Sequence, residues 1–144
     1  MLRIRASHSV LALALAVAAP AIFAEVPEGK IAINYNRCDN KYDGWGVHLW
    51  RDPSSPLPGI SWGRPLMPTG KTDFGVMWQA DFAEFGKSGN VNYIIHKGDS
   101  KDQNGKDMSF DGKTNKEIWV NNDDRKIYFS LEDAKKGREA SPCK

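Results

Sequence analysis

The chain has 144 residues, 26% of them charged, and setting aside Arg3 and Arg5 of the N-terminal leader brings Lys plus Arg from 20 to 18, level with Asp plus Glu. Lys and Asp also interleave through Lys97, Asp99, Lys101, Asp102, Lys106 and Asp107, so there is no basic face to track phosphates and nucleic acid is excluded as a partner. A mature length of about 120 residues fits one domain around one core.

Arg3 and Arg5 precede the apolar run Val10 to Ala19, and Pro20 and small residues follow as far as Ala24. A charged start, an apolar middle and a small-residue cut site predict a bacterial secretory signal over residues 1–24, cleaved after Ala24 or after Ala21. The run is shorter than the about 20 apolar residues that span a bilayer, and no Cys follows closely to carry a lipid. No stable membrane anchor is expected, and the protein is expected to be secreted or periplasmic. In that oxidising setting Cys38 and Cys143 bracket the mature domain, residues 25–144. They either form a disulfide or remain two separate thiols.

Lys30 to Asn36 alternates, with Ile31, Ile33 and Tyr35 opposite Ala32, Asn34 and Asn36, the pattern of a half-buried strand. Tyr42-Asp43-Gly44 reads as a turn that launches a strand from Trp45 to Trp50. If Val47 and Leu49 face a core, His48 and Trp50 stand side by side on the other face. Strict alternation leaves Trp45 off that face, and only a bulge at Gly44 or Gly46 would bring it round. Arg51 to Thr72 holds Pro53, Pro56, Pro58, Pro65 and Pro68, too many for a ladder, and is expected to be an irregular loop pinned to the body by Trp62.

Gly75 to Phe82 resumes alternation with Val76, Trp78 and Ala80 on one side, which places Trp78 in the core; Asp81 to Gly86 is one helical turn or a bend. Val91 to His96 has two partly apolar faces and suits a central strand. Lys97 to Lys116, punctuated by Gly98, Gly105 and Gly112, reads as a long polar loop. Glu117 to Asn121 and Lys126 to Leu131 form a hairpin around Asn122 to Arg125, with Trp119 either in the core or on a second exposed face. Glu132 to Lys144 is expected to be a charged tail with at most a turn of helix. About six short strands and no long helix imply an all-β sandwich.

Chemistry finds little support. Asp99 and Asp102 could mimic a glycosidase pair, but that chemistry needs one acid with a raised pKa inside a deep cleft, and lysines flank both. Asp102, Asn104 and Asp107 lack the alternation and the distal Glu of a calcium loop, and His48 and His96 lack zinc spacing. No metal, cofactor or enzymatic activity is expected.

Four motifs occur in order: Tyr42-Asp43-Gly44-Trp45-Gly46-Val47-His48-Leu49-Trp50, Asp73-Phe74-Gly75, Ile94 to Asp102, and Glu117-Ile118-Trp119-Val120. Together they resemble the bacterial pullulanase-associated domain, also classed as family 41 of the carbohydrate-binding modules, from Lys30 to about Leu131. The resemblance implies an immunoglobulin-like antiparallel β-sandwich that binds α-glucans such as pullulan, amylopectin and glycogen. It also implies roles for six residues: Trp45, His48 and Trp50 stack on glucose rings, and Lys97, Lys101 and Asp102 hydrogen-bond the hydroxyls. The physics agrees, since a glucose unit has an apolar face to stack and a rim of hydroxyls to bind. Such modules usually sit at the N-terminus of large pullulanases, so this chain is expected to be a free-standing module or a piece of one, with a pullulanase or amylase as a further partner. The alternative is a small exported inhibitor or protein-binding domain whose tryptophans contact an amylolytic enzyme.

Overall fold

A computed structural model describes residues 25–144; the expected leader, residues 1–24, lies outside the described residues. In chain order the elements are β1 (Lys30–Asn36), β2 (Gly46–Arg51), β3 (Ser55–Pro56), β4 (Gly70–Lys71), β5 (Val76–Asp81), a 3-10 turn (Phe82–Phe85), β6 (Asn90–Lys97), β7 (Ser100–Lys101), a second 3-10 turn (Gln103–Gly105), β8 (Met108–Asp111), β9 (Glu117–Asn121) and α1 (Leu131–Ala140). One sheet runs β4-β5-β1-β9; the other runs β3-β2-β6, with β7 and β8 pairing along the free edge of β6. Pairing is antiparallel throughout the named strands except between β1 and β9, which run parallel. The fold is the expected immunoglobulin-like β-sandwich.

Alternation decides which residues fill the space between the sheets. Ile31, Ile33 and Tyr35 of β1, Val76 and Trp78 of β5, and Ile118 and Val120 of β9 meet Val47 and Leu49 of β2 and Val91, Tyr93 and Ile95 of β6 in one buried cluster. Trp78 is 1% exposed, and β6 is the central strand of its sheet. Each sheet therefore turns a second face outward, and the covering of those two faces differs. On the second sheet, the proline-rich segment folds back over the start of β2. There a side chain on Gly46 would stand 2.7 Å from Pro65, so only glycine admits this approach.

Three expectations need correction. The polar stretch after Lys97 is not one loop: β7, a 3-10 turn and β8 lie within it, because Met108 and Phe110 give β8 an inward face that closes on β6. The hairpin after β9 has only a stub of a second arm, the single bridge between Trp119 and Tyr128. The charged tail is instead the ten-residue helix α1. Ser130 caps it by accepting from the Asp133 N–H at 3.1 Å, which satisfies one of the donors a helix start leaves open, and Lys136 pairs with Glu132 one turn away at 2.7 Å. Helix propensity alone is marginal at this length; docking supplies the rest. Ala134 is buried, the Asn121 amide donates to its carbonyl at 2.9 Å, and the Arg138 guanidinium donates to Asn122 Oδ1 at 2.8 Å.

The helix is also tied covalently. Cys143, just beyond it, is bonded to Cys38, just beyond β1, across 105 residues of sequence. A loop of that size restricts the unfolded chain by roughly 4 to 5 kcal/mol in the chain-entropy view. Cys38→Ala/Cys143→Ala should therefore lower the unfolding free energy in urea by about 3 to 5 kcal/mol. A loss under about 1 kcal/mol would show that the unfolded chain is already compact without the bond.

Candidate functional site

The outer face of the second sheet carries a row of rings. The β2 residues Gly46 to Trp50 pair one for one with His96 to Asn92 of β6, so no bulge interrupts this stretch. His48 and Trp50 accordingly project from the same face, with ring centroids 5.6 Å apart and planes inclined by 30°. The row continues to Trp62, whose proline-rich setting in the sequence predicts only a pin for the loop. Its indole lies 5.7 Å from the His48 ring. It stacks flat on His96 at 3.8 Å with 5° between the planes, a close face-to-face contact. His96 is 1% exposed beneath it. The Gly98 carbonyl, which can only accept, lies 2.8 Å from its Nδ1, so that nitrogen carries the proton and holds the ring flat under the indole.

The hairpin that follows β6 holds Trp62 from the side. The indole N–H donates to Asp99 at 3.1 Å, and the Lys101 ammonium sits 5.3 Å from the indole ring centre, close enough for a cation–π attraction. A run of three half-buried rings, Trp50, His48 and Trp62, thus ends beside one carboxylate and one ammonium. At the other end Asn92, the cross-strand partner of Trp50, donates to the Trp50 carbonyl at 3.2 Å and to Asp52 at 2.9 Å. The arrangement suits an extended neutral ligand with apolar faces and hydroxyl edges.

Three residues assigned to the site by resemblance stand elsewhere. Trp45 lies on the core side of the sheet: its ring is 6.1 Å from that of Tyr35, and the Arg37 guanidinium sits over it at 4.2 Å. Lys97 follows His96 in β6 and so points to the opposite side, where its stem runs 3.0 Å from the position a side chain on Gly44 would take. Asp102 is 5% exposed and its oxygens are already engaged. Oδ1 accepts from the backbone N–H of Gln103 at 2.6 Å and of Asp123 at 2.7 Å. Oδ2 accepts from the Tyr35 hydroxyl, with the Arg37 guanidinium 3.8 Å away. That hydroxyl in turn accepts from Arg37 at 2.9 Å. Burial and the Asp102 charge both push the Tyr35 phenol above its ordinary range, so it stays a donor. The signal for Trp62 was present in the sequence as a lone tryptophan among prolines, but its partner His96 is distant in the chain and gave no spacing to read.

Removing the Asp102 carboxylate leaves a phenol and two backbone N–H groups without their acceptor and takes a nearby opposite charge from the Arg37 guanidinium. Asp102→Leu should cost about 3 to 5 kcal/mol in urea unfolding, and Asp102→Asn, which keeps one acceptor oxygen, should cost less. Equal stability of wild type and Asp102→Leu would contradict the buried network. Acid provides a second check. Burial, then the nearby His96, lower the pKa of His48 below 6.5, so below about that pH the unfolded chain takes up a proton that the folded chain refuses, and stability falls with pH. His48→Phe has no such proton, and its melting temperature should drop less between pH 7 and pH 5 than that of the wild type. An identical drop would remove His48 as a cause.

Comparison with known proteins is consistent with this architecture. The sequence profile described as the Bacterial pullanase-associated domain matches residues 29–129. The alpha-amylase of Streptomyces lividans is 36% identical over 73 residues, which is 51% of this chain and 7% of that enzyme's length. Among solved structures, one of family 41 carbohydrate-binding modules from streptococcal virulence factors, described as recognising alpha-glucan, superposes with a TM-score of 0.61 at 24% identity, covering 75% of this chain and 50% of that one. Ligand-free PulA from Klebsiella pneumoniae gives 0.64 at 20% identity, over 83% of this chain and 12% of that one. At these identities the solved structures speak for the fold, and the profile speaks for the family. The chain belongs to the bacterial pullanase-associated domain family.

Proposed function

We propose that the protein binds α-glucan chains, without catalysis, along the row Trp50, His48 and Trp62. The observation that carries this is the run of three rings on one open sheet face, ending at Asp99 and Lys101. Pyranose faces stack on such rings while the carboxylate accepts from hydroxyls and the ammonium donates to them. Membership of the family and the α-glucan described for the streptococcal modules support the choice of sugar. A binding role fits the carboxylates too. Asp99 is turned to the Trp62 N–H and Asp102 is buried under Tyr35, so these two carboxylates do not face one sugar as a glycosidase pair does. Pullulan, amylopectin and glycogen-type chains are the expected ligands, and the disulfide suits an exported protein, secreted or periplasmic, acting beside a pullulanase or amylase.

Electrophoresis through gels containing pullulan, amylopectin or cellulose tests the proposal. The protein should be retarded by both α-glucans and not by cellulose. Trp50→Ala and Trp62→Ala should each weaken the interaction roughly tenfold, equivalent to about 1.4 kcal/mol, in line with the loss of one stacking contact. Unretarded migration of the wild type in both α-glucan gels would overturn the proposal. It would favour the rival reading, a protein-binding domain whose tryptophans meet an amylolytic enzyme.

A further inference from the structure

The outer face of the first sheet holds a second cleft, of about 500 Å³, between the segment before β5 and the chain that leads into α1. Helix α1 covers only one end of this face, through Asn121, Asn122 and Asn36. Beyond its start, Trp119 of β9 and Met77 of β5 form an apolar floor between Phe74 on one side and Phe129 on the other. Phe129 is 53% exposed, one of two large apolar residues so exposed among the described residues.

We propose that this cleft binds a short terminal stretch of glucosyl units, so that the sandwich grips glucan on two opposite faces and can bridge neighbouring chains. The choice of sugar rests on the α-glucan reading of the Trp50 row; the existence of a polyol site does not.

The cleft wall offers two acceptors to a ligand. Asn34, in the middle of β1 and 2% exposed, lines the cleft. Its nitrogen is committed to Glu117 Oε1 at 2.8 Å and to the Ile118 carbonyl at 3.2 Å, and no donor among the described residues reaches its oxygen. That oxygen is not sealed from solvent, and a sugar hydroxyl can replace water as its donor. Beside it, the carboxylate of half-buried Glu117 uses one oxygen to hold Asn34, which leaves the other to accept from an adjacent hydroxyl. The rim carries both signs, Lys71 and Asp73, which suits a neutral ligand better than a charged peptide. The volume lies within the roughly 300 to 1,000 Å³ of small-molecule sites, and the exposed ring of Phe129 with the indole of Trp119 supplies the surface a pyranose stacks on. Walls on two sides favour a chain end, whereas the open Trp50 row accepts the middle of a chain.

Light scattering from glycogen mixed with the full chain, together with amylopectin gels, tests this. Wild type should enlarge glycogen particles by bridging them, and both Trp50→Ala and Phe129→Ala should lose that enlargement. Phe129 is exposed, so its replacement leaves the core intact. In amylopectin gels, Trp50→Ala should keep a weak retardation that Trp50→Ala/Phe129→Ala loses. The proposal fails if the double variant migrates like Trp50→Ala, or if wild type binds amylopectin but leaves glycogen particles unchanged in size. It fails equally if the protein alone enlarges without glycogen, which would make the cleft a contact between two copies of the chain. A wild type that no α-glucan retards removes the reading of the Trp50 row first, and the sugar assigned to the cleft with it.

Discussion

The candidate site depends on a carboxylate that never reaches it. Asp102 belongs to a hairpin rich in charge, yet it turns inward, where the Tyr35 hydroxyl, two backbone N–H groups and the Arg37 guanidinium surround it. A buried charge is tolerated only when it is paired and hydrogen-bonded, so this hairpin has one low-energy position. The Asp102 N–H also donates to the Ile95 carbonyl at 2.9 Å, and its own carbonyl accepts from Gly105. Fixing Asp102 fixes Asp99 and Lys101 on the same hairpin. Those two hold Trp62, and Trp62 stacked on His96 completes the row of rings. A contact between β1, β6 and the turn after β9 thereby sets the geometry of a surface on the far side of the second sheet.

The two outer faces of the sandwich show how covering decides the surface a sheet presents. A proline-rich segment folds over the second sheet, pinned by Trp62 and by the close approach of Pro65 to Gly46, and it leaves His48 and Trp50 half-buried instead of sealing them. Prolines limit the states open to that segment before folding, which favours a platform already formed when ligand arrives over one ordered by it. On the first sheet, α1 and the Cys38–Cys143 bond cover one end and leave Trp119, Met77 and Asn34 facing a cleft. The same two-layer core thus presents one flat aromatic surface and one walled cavity, and the difference lies in short connecting segments.

Much of the scaffold was legible in the sequence because period-two alternation is a local signal. Lys30 to Asn36 emerges with the expected bounds, and β2, β5 and β6 within a residue or two. Placing His48 and Trp50 on one face needed nothing more than that period, and the same period placed Trp45 off it. Three features escaped for physical reasons. β8 is short and polar on its outward face, so Gly105 and Gly112 masked it. The helix α1 has one buried residue, Ala134, which gives no apolar stripe to read; its stability comes from Asn121, Arg138 and a disulfide, all long-range. Asp102 and Trp62 change places in meaning, since a charged loop residue turns inward and a loop tryptophan joins the surface, and neither outcome follows from neighbours in sequence.

The central claim is that glucan rests on Trp50, His48 and Trp62 and not on Trp45. The five tryptophans each give one indole N–H resonance, which makes the claim directly measurable by titrating the protein with maltotriose in a two-dimensional NMR experiment, with each signal assigned by Trp→Phe replacement. The account predicts that the Trp50 and Trp62 indole signals shift together along one saturating curve while those of Trp45 and buried Trp78 stay in place. A shift of the Trp45 signal with Trp50 and Trp62 unmoved would contradict it.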